Sequence, residues 1–159
     1  MAISVTAQQI EAQIASDIAA CESLISLLDQ EQEALKNRDP DQLSEIIDAK
    51  LTPLNHLENS ANVRAQWLRE SGGEVSSDAW LEVLQQTQQQ KLKQDWQTLK
   101  KLTQQCKLKN EVNGKLLVRN QQVFGRLLEV LRGQNNNSSL YNTKGASKAM
   151  GGSNIIGEA

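Results

Sequence analysis

Between Asp78 and Arg132 the chain has no proline and only two glycines, Gly114 and Gly125, while apolar residues return every three or four positions. A strand repeats every two residues, so a rhythm sustained over this length is a helix rhythm. At ~1.5 Å per residue such a helix is roughly 80 Å long. Only QQTQQQ at 85–90 is poor in apolar residues, and the segment is either one very long helix or a helix that bends there.

The two preceding segments carry the same rhythm. From about Thr6 to Asn37 the apolar stripe reads Ile10, Ile14, Ile18, Cys21, Ile25, Leu28 and Leu35, widened by Leu24 and Leu27. This is the pattern of an amphipathic helix packed on another. NRDPDQ then holds a stop and a start side by side: Asp39 is an N-cap, Pro40 suits the first helical position, and Gln42 completes a capping-box pattern. The tight connection returns a second helix antiparallel to the first. Its stripe reads Leu43, Ile47, Lys50, Leu54, Leu57, Ala61, Arg64 and Leu68, with Pro53 inside it predicting a kink near Ala49. SGGEVSS ends that helix, Ser76 or Ser77 caps the next, and Trp67 and Trp80 flank the loop where they can pack on one another or on the bundle end.

Composition agrees. Aromatics make up 3% of the chain, which favours helix over sheet. Beyond Arg132 the character changes: 14 of the 27 residues from 133 to 159 are Gly, Asn or Ser, too polar to bury a core of their own. The chain reads as all-α: an antiparallel bundle or coiled coil of three long helices over residues 1–132, the third very long and either continuous or bent at 85–90, then a low-complexity flexible tail over 133–159.

Function classes are excluded mainly by what is missing. Cys21 and Cys106 match no zinc or redox spacing, and a reducing compartment is the default. MAISVTAQQI has neither a basic n-region nor an apolar h-region, and no apolar run approaches a membrane span, so a soluble cytoplasmic protein is expected. The sole histidine, His56, stands beside apolar neighbours, and no metal-ligand, dinucleotide, phosphate-loop or nucleophile-elbow motif occurs. No enzyme and no cofactor are expected. Residues 1–60 carry eleven acids against three bases, and residues 91–159 four acids against twelve bases. Halves of equal and opposite charge neutralise each other when packed, which argues against a nucleic-acid surface; Lys100, Lys101, Lys107, Lys109, Lys115 and Arg119 are also scattered around their helix.

One stretch runs against helical economy. KNEVNGKLLVRN, residues 109–120, holds three asparagines and a glycine, all poor helix formers. Continuing the 4-3 alternation from Leu99 gives Thr103, Cys106, Asn110, Asn113, Leu117, Asn120, Phe124, Leu127 and Leu131, so all three asparagines fall on the seam. Two accounts remain open. Seam asparagines set register inside a bundle, or they keep an intermittently vacant groove soluble and offer amides to a partner. The first reading of the long helix leaves the stretch after about Lys107 without an intramolecular cover; the bent reading places the portion after Lys91 over the hairpin.

At these residues the chain resembles the FlgN family of flagellar export chaperones. The similarity lies in ALKNRDPDQLSEIIDAKLTPLNHLE and CKLKNEVNGKLLVRNQQVFGRLLEVLRG followed by LYNTKG, with Asn110, Asn113, Gly114, Leu116 and Asn120 as the most specific element. The resemblance implies a cytoplasmic helical protein without enzymatic activity. It implies binding to the C-terminal helical segments of hook-associated (hook-filament junction) proteins and presentation of them to the flagellar export apparatus. The implied partner-binding residues are Asn110, Asn113, Leu117, Asn120, Phe124, Leu127 and Leu131, with Leu140 and Tyr141 as adaptable contacts. The alternative is a structural coiled-coil module that homodimerises through the same stripe and has no client.

Overall fold

The helix starts follow from local capping chemistry. Thr6 Oγ1 accepts from the Gln9 N–H at 3.2 Å while Gln9 Oε1 accepts from the Thr6 N–H at 2.8 Å, a complete capping box that opens α1 (Ala7–Asn37). Arg38 closes α1 in the left-handed region, φ 52, and the Asp39 N–H reaches back to the Ala34 carbonyl. Asp39 then caps α2 (Pro40–Glu70) by accepting from the Gln42 N–H at 3.1 Å. Of the two candidate serines, Ser76 caps α3 (Ser77–Gln86), with its Oγ 3.1 Å from the Ala79 N–H. The final helix, α4, spans Gln90–Thr143. The structure, a computed structural model, describes the backbone of residues 4–143 and the side chains of that range except Phe124 and 132–143.

The long third helix is thus two helices. Thr87 folds its Oγ1 onto the Leu84 carbonyl at 2.6 Å and Gln88 takes φ 55, so the chain turns and restarts. QQTQQQ has no apolar side chain whose burial would hold the helix straight. At the other end α4 continues past Arg132, where the change in composition predicted a stop. Extending an existing helix costs little per residue, and no proline intervenes.

Cross-helix contacts set the directions. Gln13 meets Ser60, Asp17 meets Arg64 and Glu31 meets Lys50, so α1 and α2 are antiparallel. Glu11 pairs with Lys91, Asp29 with Lys109, and Asn113 reaches Leu28, a nearly constant sequence separation of 80–85 that makes α1 and α4 parallel. The break at 87–89 therefore lets α4 cover the hairpin, as the bent reading required.

The buried seam is rotated from the expected one. α1 buries Ile10, Ile14, Asp17, Cys21, Leu24, Leu28, Glu31 and Leu35, an unbroken 4-3 alternation in which Asp17 and Leu24 stand where Ile18 and Ile25 were expected. α2 buries Ile46, Pro53, Ser60 and Leu68, and leaves Ile47 and Leu54 exposed. Charge pairing explains the rotation. Lys50 Nζ lies 2.8 Å from Glu31 and Arg64 Nη1 2.6 Å from Asp17, so the two bases already on the expected α2 stripe draw Glu31 and Asp17 of α1 into the contact, Asp17 in place of the neighbouring Ile18. Buried pairs add little net stability, but they penalise every other register.

The apolar core joins Ile10, Ile14, Cys21 and Leu28 of α1 to Leu68, Trp80, Leu84, Leu92, Leu99 and Cys106. Each fully buried aliphatic contributes about 1.5–3 kcal/mol. α3 closes one end. Trp67 stacks on Trp80 at 6.3 Å, and Trp96, which sequence reasoning left out of this cluster, meets Trp80 at 5.7 Å. The chain divides into two compact units, one through Leu116 and one from Leu117 onward.

Candidate functional site

Asparagines on the α4 seam have different fates. Asn113 is 3% exposed, and its Nδ2 donates to the Leu28 carbonyl and to Glu31 Oε1, both at 2.9 Å. Its amide belongs to the bundle, so its expected place on a vacant face is corrected: the register account holds for this residue. The cause is Glu31, whose second oxygen is taken by Lys50 and which needs a further donor where it is buried. Asn110 is exposed and Asn120 half-buried.

From Leu117 to Leu131 most of the described large apolar residues are open, Val123 being half-buried. Leu117, Val118, Leu127, Leu128, Val130 and Leu131 are 42–58% exposed. At ~100° per residue Leu117, Leu127, Leu128 and Leu131 share an arc about 100° wide, the width of a packing stripe. The side chains of Phe124, Leu140 and Tyr141 lie outside the described residues. Nothing stands within 4 Å of a Cβ built on Gly114 or on Gly125. Neither glycine is required by close packing within the described chain, although each weakens the helix by about 1 kcal/mol relative to alanine.

The lone histidine has a defined setting. His56 Nε2 lies 2.9 Å from Ser16 Oγ and 3.1 Å from Asp17 Oδ1. Serine, histidine and aspartate come together, but serine and carboxylate crowd the same ring nitrogen. A triad needs the carboxylate on the other nitrogen, so that the imidazole can accept the serine proton. Asp17 is also fully buried and bound to Arg64, whose guanidinium further donates to Gln13 Oε1 and lies 5.3 Å above the Trp96 ring. This arrangement holds helices together. Both thiols are buried, and burial pushes Cys21 up and Cys106 up to about 11, which keeps them protonated and disfavours a nucleophilic role. Among the described residues no cluster of three or more His, Cys, Asp or Glu is placed to hold a metal, and no helix is long and apolar enough to cross a membrane.

A second concave feature lies between α2 and α4. Two cavities of about 410 and 440 Å³ share Ala61, Arg64, Trp96 and Lys100 as lining, the first reaching Trp80 of α3 and the second Thr103. The periodicity of neither helix announces this groove, because it depends on how far apart the helices stand.

The sequence profile of the family described as "FlgN protein" matches residues 1–149. The chain belongs to the FlgN family. Among solved structures it is similar to a flagella synthesis protein FlgN of Pseudomonas aeruginosa, at 26% identity and a TM-score of 0.64, over 80% of this chain and 98% of that one. No curated protein sequence matches it. Family membership places the all-helical architecture in a flagellar setting. The most specific FlgN-like residues of this chain, Asn110 to Asn120, straddle the point where buried positions give way to exposed ones.

Proposed function

We propose that this FlgN-family protein is a cytoplasmic export chaperone for flagellum assembly, and that it holds the C-terminal helical segments of hook-associated proteins before they reach the export apparatus. One observation carries the reading: six large aliphatic side chains between Leu117 and Leu131 are exposed. Water opposes leaving so much apolar surface open on a helix, at about 25 cal/mol per Å². An amphipathic client helix laid along Leu117, Leu127 and Leu131 covers it by helix-in-groove recognition, with Asn110 and Asn120 beside it as polar contacts. Phe124, Leu140 and Tyr141 complete the proposed contact set. The mechanism is masking: a client whose apolar face is occupied cannot self-assemble, and release needs no bond to break.

Co-expression with hook-associated proteins followed by size-exclusion chromatography tests this. The wild type co-elutes with a client, and the Leu117→Asp, Leu127→Asp double variant does not, with helicity by circular dichroism unchanged. Equal co-elution of wild type and variant removes the strip as the client site. The same exposed strip favours a second reading, a homodimer without client. Light scattering that gives a concentration-independent dimer, unaffected by clients, supports that reading instead.

A further inference from the structure

Among the described residues every ion pair between helices ends on α1. Lys50, His56 and Arg64 of α2 reach Glu31 and Asp17, and Lys91 and Lys109 of α4 reach Glu11 and Asp29. The acidic first part of the chain and its basic later part therefore neutralise each other only along α1, and no ion pair joins α2 to α4.

On α2, Asp41, Asp48 and Glu58 are exposed and make no ion pair among the described residues. Ile47, Leu51 and Leu54 stand among them at 49, 53 and 43% exposure. At ~100° per residue the six share an arc about 140° wide. No base falls on it, because Lys50 is turned to Glu31. On α4, Lys101, Leu108 and Lys115 follow at steps of seven, with Val112 one turn after Leu108. All four are exposed, Leu108 and Val112 at 51 and 45%. They share an arc about 60° wide at the same ~100° per residue, and no acid falls on it. Lys100, Lys107 and Lys109 lie at other angles of the helix, while Arg119 and Arg126 keep the spacing of the stripe in sequence.

Each stripe combines large aliphatic side chains in water with charge of one sign that has no counterpart. Covering the aliphatics is favourable, and the charge selects an occupant of opposite sign. A nucleic acid answers the bases of α4 and leaves the aliphatics and the α2 stripe unanswered. A second copy of this chain answers both, because each stripe is the complement of the other. Their lengths agree as well, roughly 26 Å from Asp41 to Glu58 and roughly 21 Å from Lys101 to Lys115 at ~1.5 Å per residue.

We propose that the chain self-associates by laying the Asp41–Glu58 stripe of α2 on the Lys101–Lys115 stripe of α4 in a second copy, acids opposite bases and aliphatics between them. The contact uses none of Leu117–Leu131, so it leaves the client strip open and does not depend on that strip's role.

Sedimentation velocity of the full chain tests this. The weight-average mass rises with protein concentration at about 0.1 M salt and falls at about 1 M, where the screening length drops from about 10 to about 3 Å. Asp48→Lys with Glu58→Lys sets bases opposite bases, and Lys101→Glu with Lys115→Glu sets acids opposite acids. Each double variant, changed only at exposed side chains, keeps its helicity and self-associates at least about tenfold more weakly, a difference of ~1.4 kcal/mol. Mixed in equal amounts, the two variants regain association, because the basic α2 of one meets the acidic α4 of the other. The Leu117→Asp, Leu127→Asp variant associates as the wild type does, which separates this contact from a homodimer built on the strip. A monomer at every concentration, reversal variants that associate as the wild type does, or a mixture that stays monomeric overturns the proposal. So does loss of association in the strip variant, and client co-elution is scored separately.

Discussion

Leu92, Leu99, Cys106 and Asn113 stand seven residues apart on α4 and are buried, whereas Leu117, Leu127 and Leu131 on the same helix are exposed. Both stretches follow the alternation expected of a packing helix, and the later one is the more apolar. Periodicity selects the face that wants a neighbour; whether a neighbour stands there is a separate matter. In the bundle unit a neighbour does, and polar groups at the seam are engaged: Asp17 by Arg64, Glu31 by Lys50 and Asn113. In the later stretch the leucines have water.

If charged register holds the bundle half, Arg64→Ala leaves Asp17 buried without its partner and lowers unfolding free energy by about 3–5 kcal/mol. Urea denaturation measures this, and a loss below about 1 kcal/mol, the range of an exposed ion pair, would show that the pair is dispensable. Asn113→Leu removes the donor shared by Glu31 and the Leu28 carbonyl, and is expected to cost about 1–3 kcal/mol in the same assay. A neutral outcome would move Asn113 back to the solvent-facing class. Gly114→Ala tests the opposite sign, because a Cβ there meets nothing. It should stabilise the protein by up to about 1 kcal/mol, and weaker client co-elution in that variant would mean that a partner approaches the helix at this glycine. Smallest of all, Leu117→Asp and Leu127→Asp should each shift stability by no more than about 0.5 kcal/mol. A large drop in the melting temperature would mean that these side chains are covered, and would erase the contrast between the two stretches.

The starts of α2 and α3 were legible because capping is local: Asp39 with Gln42 and the Ser76 cap depend on residues three apart. The tryptophan pair flanking SGGEVSS was legible for the same reason. The rotated seam was harder. Ile18 and Asp17 are neighbours on one helix, and periodicity prefers the isoleucine; only the presence of Arg64 on α2 makes the aspartate the buried one. The break at 87–89 was signalled as a choice between bend and continuity, since a glutamine run neither forces nor forbids a turn. At the candidate strip Leu117, Leu127 and Leu131 are exposed, while Asn113 is buried through its contact with Glu31, a residue 82 positions away.

By itself, then, the sequence determined an all-helical chain, the places where its first three helices begin, and a late stretch with an apolar face. It could do so because capping, propensity and periodicity act within a turn or two of the chain. The tertiary structure alone decided that α4 runs parallel to α1, that Asp17 and Glu31 are buried acids with partners, and that a groove separates α2 from α4. Those outcomes depend on the distance and rotation between helices, which the charge pairs and the packed core set together and no single segment encodes.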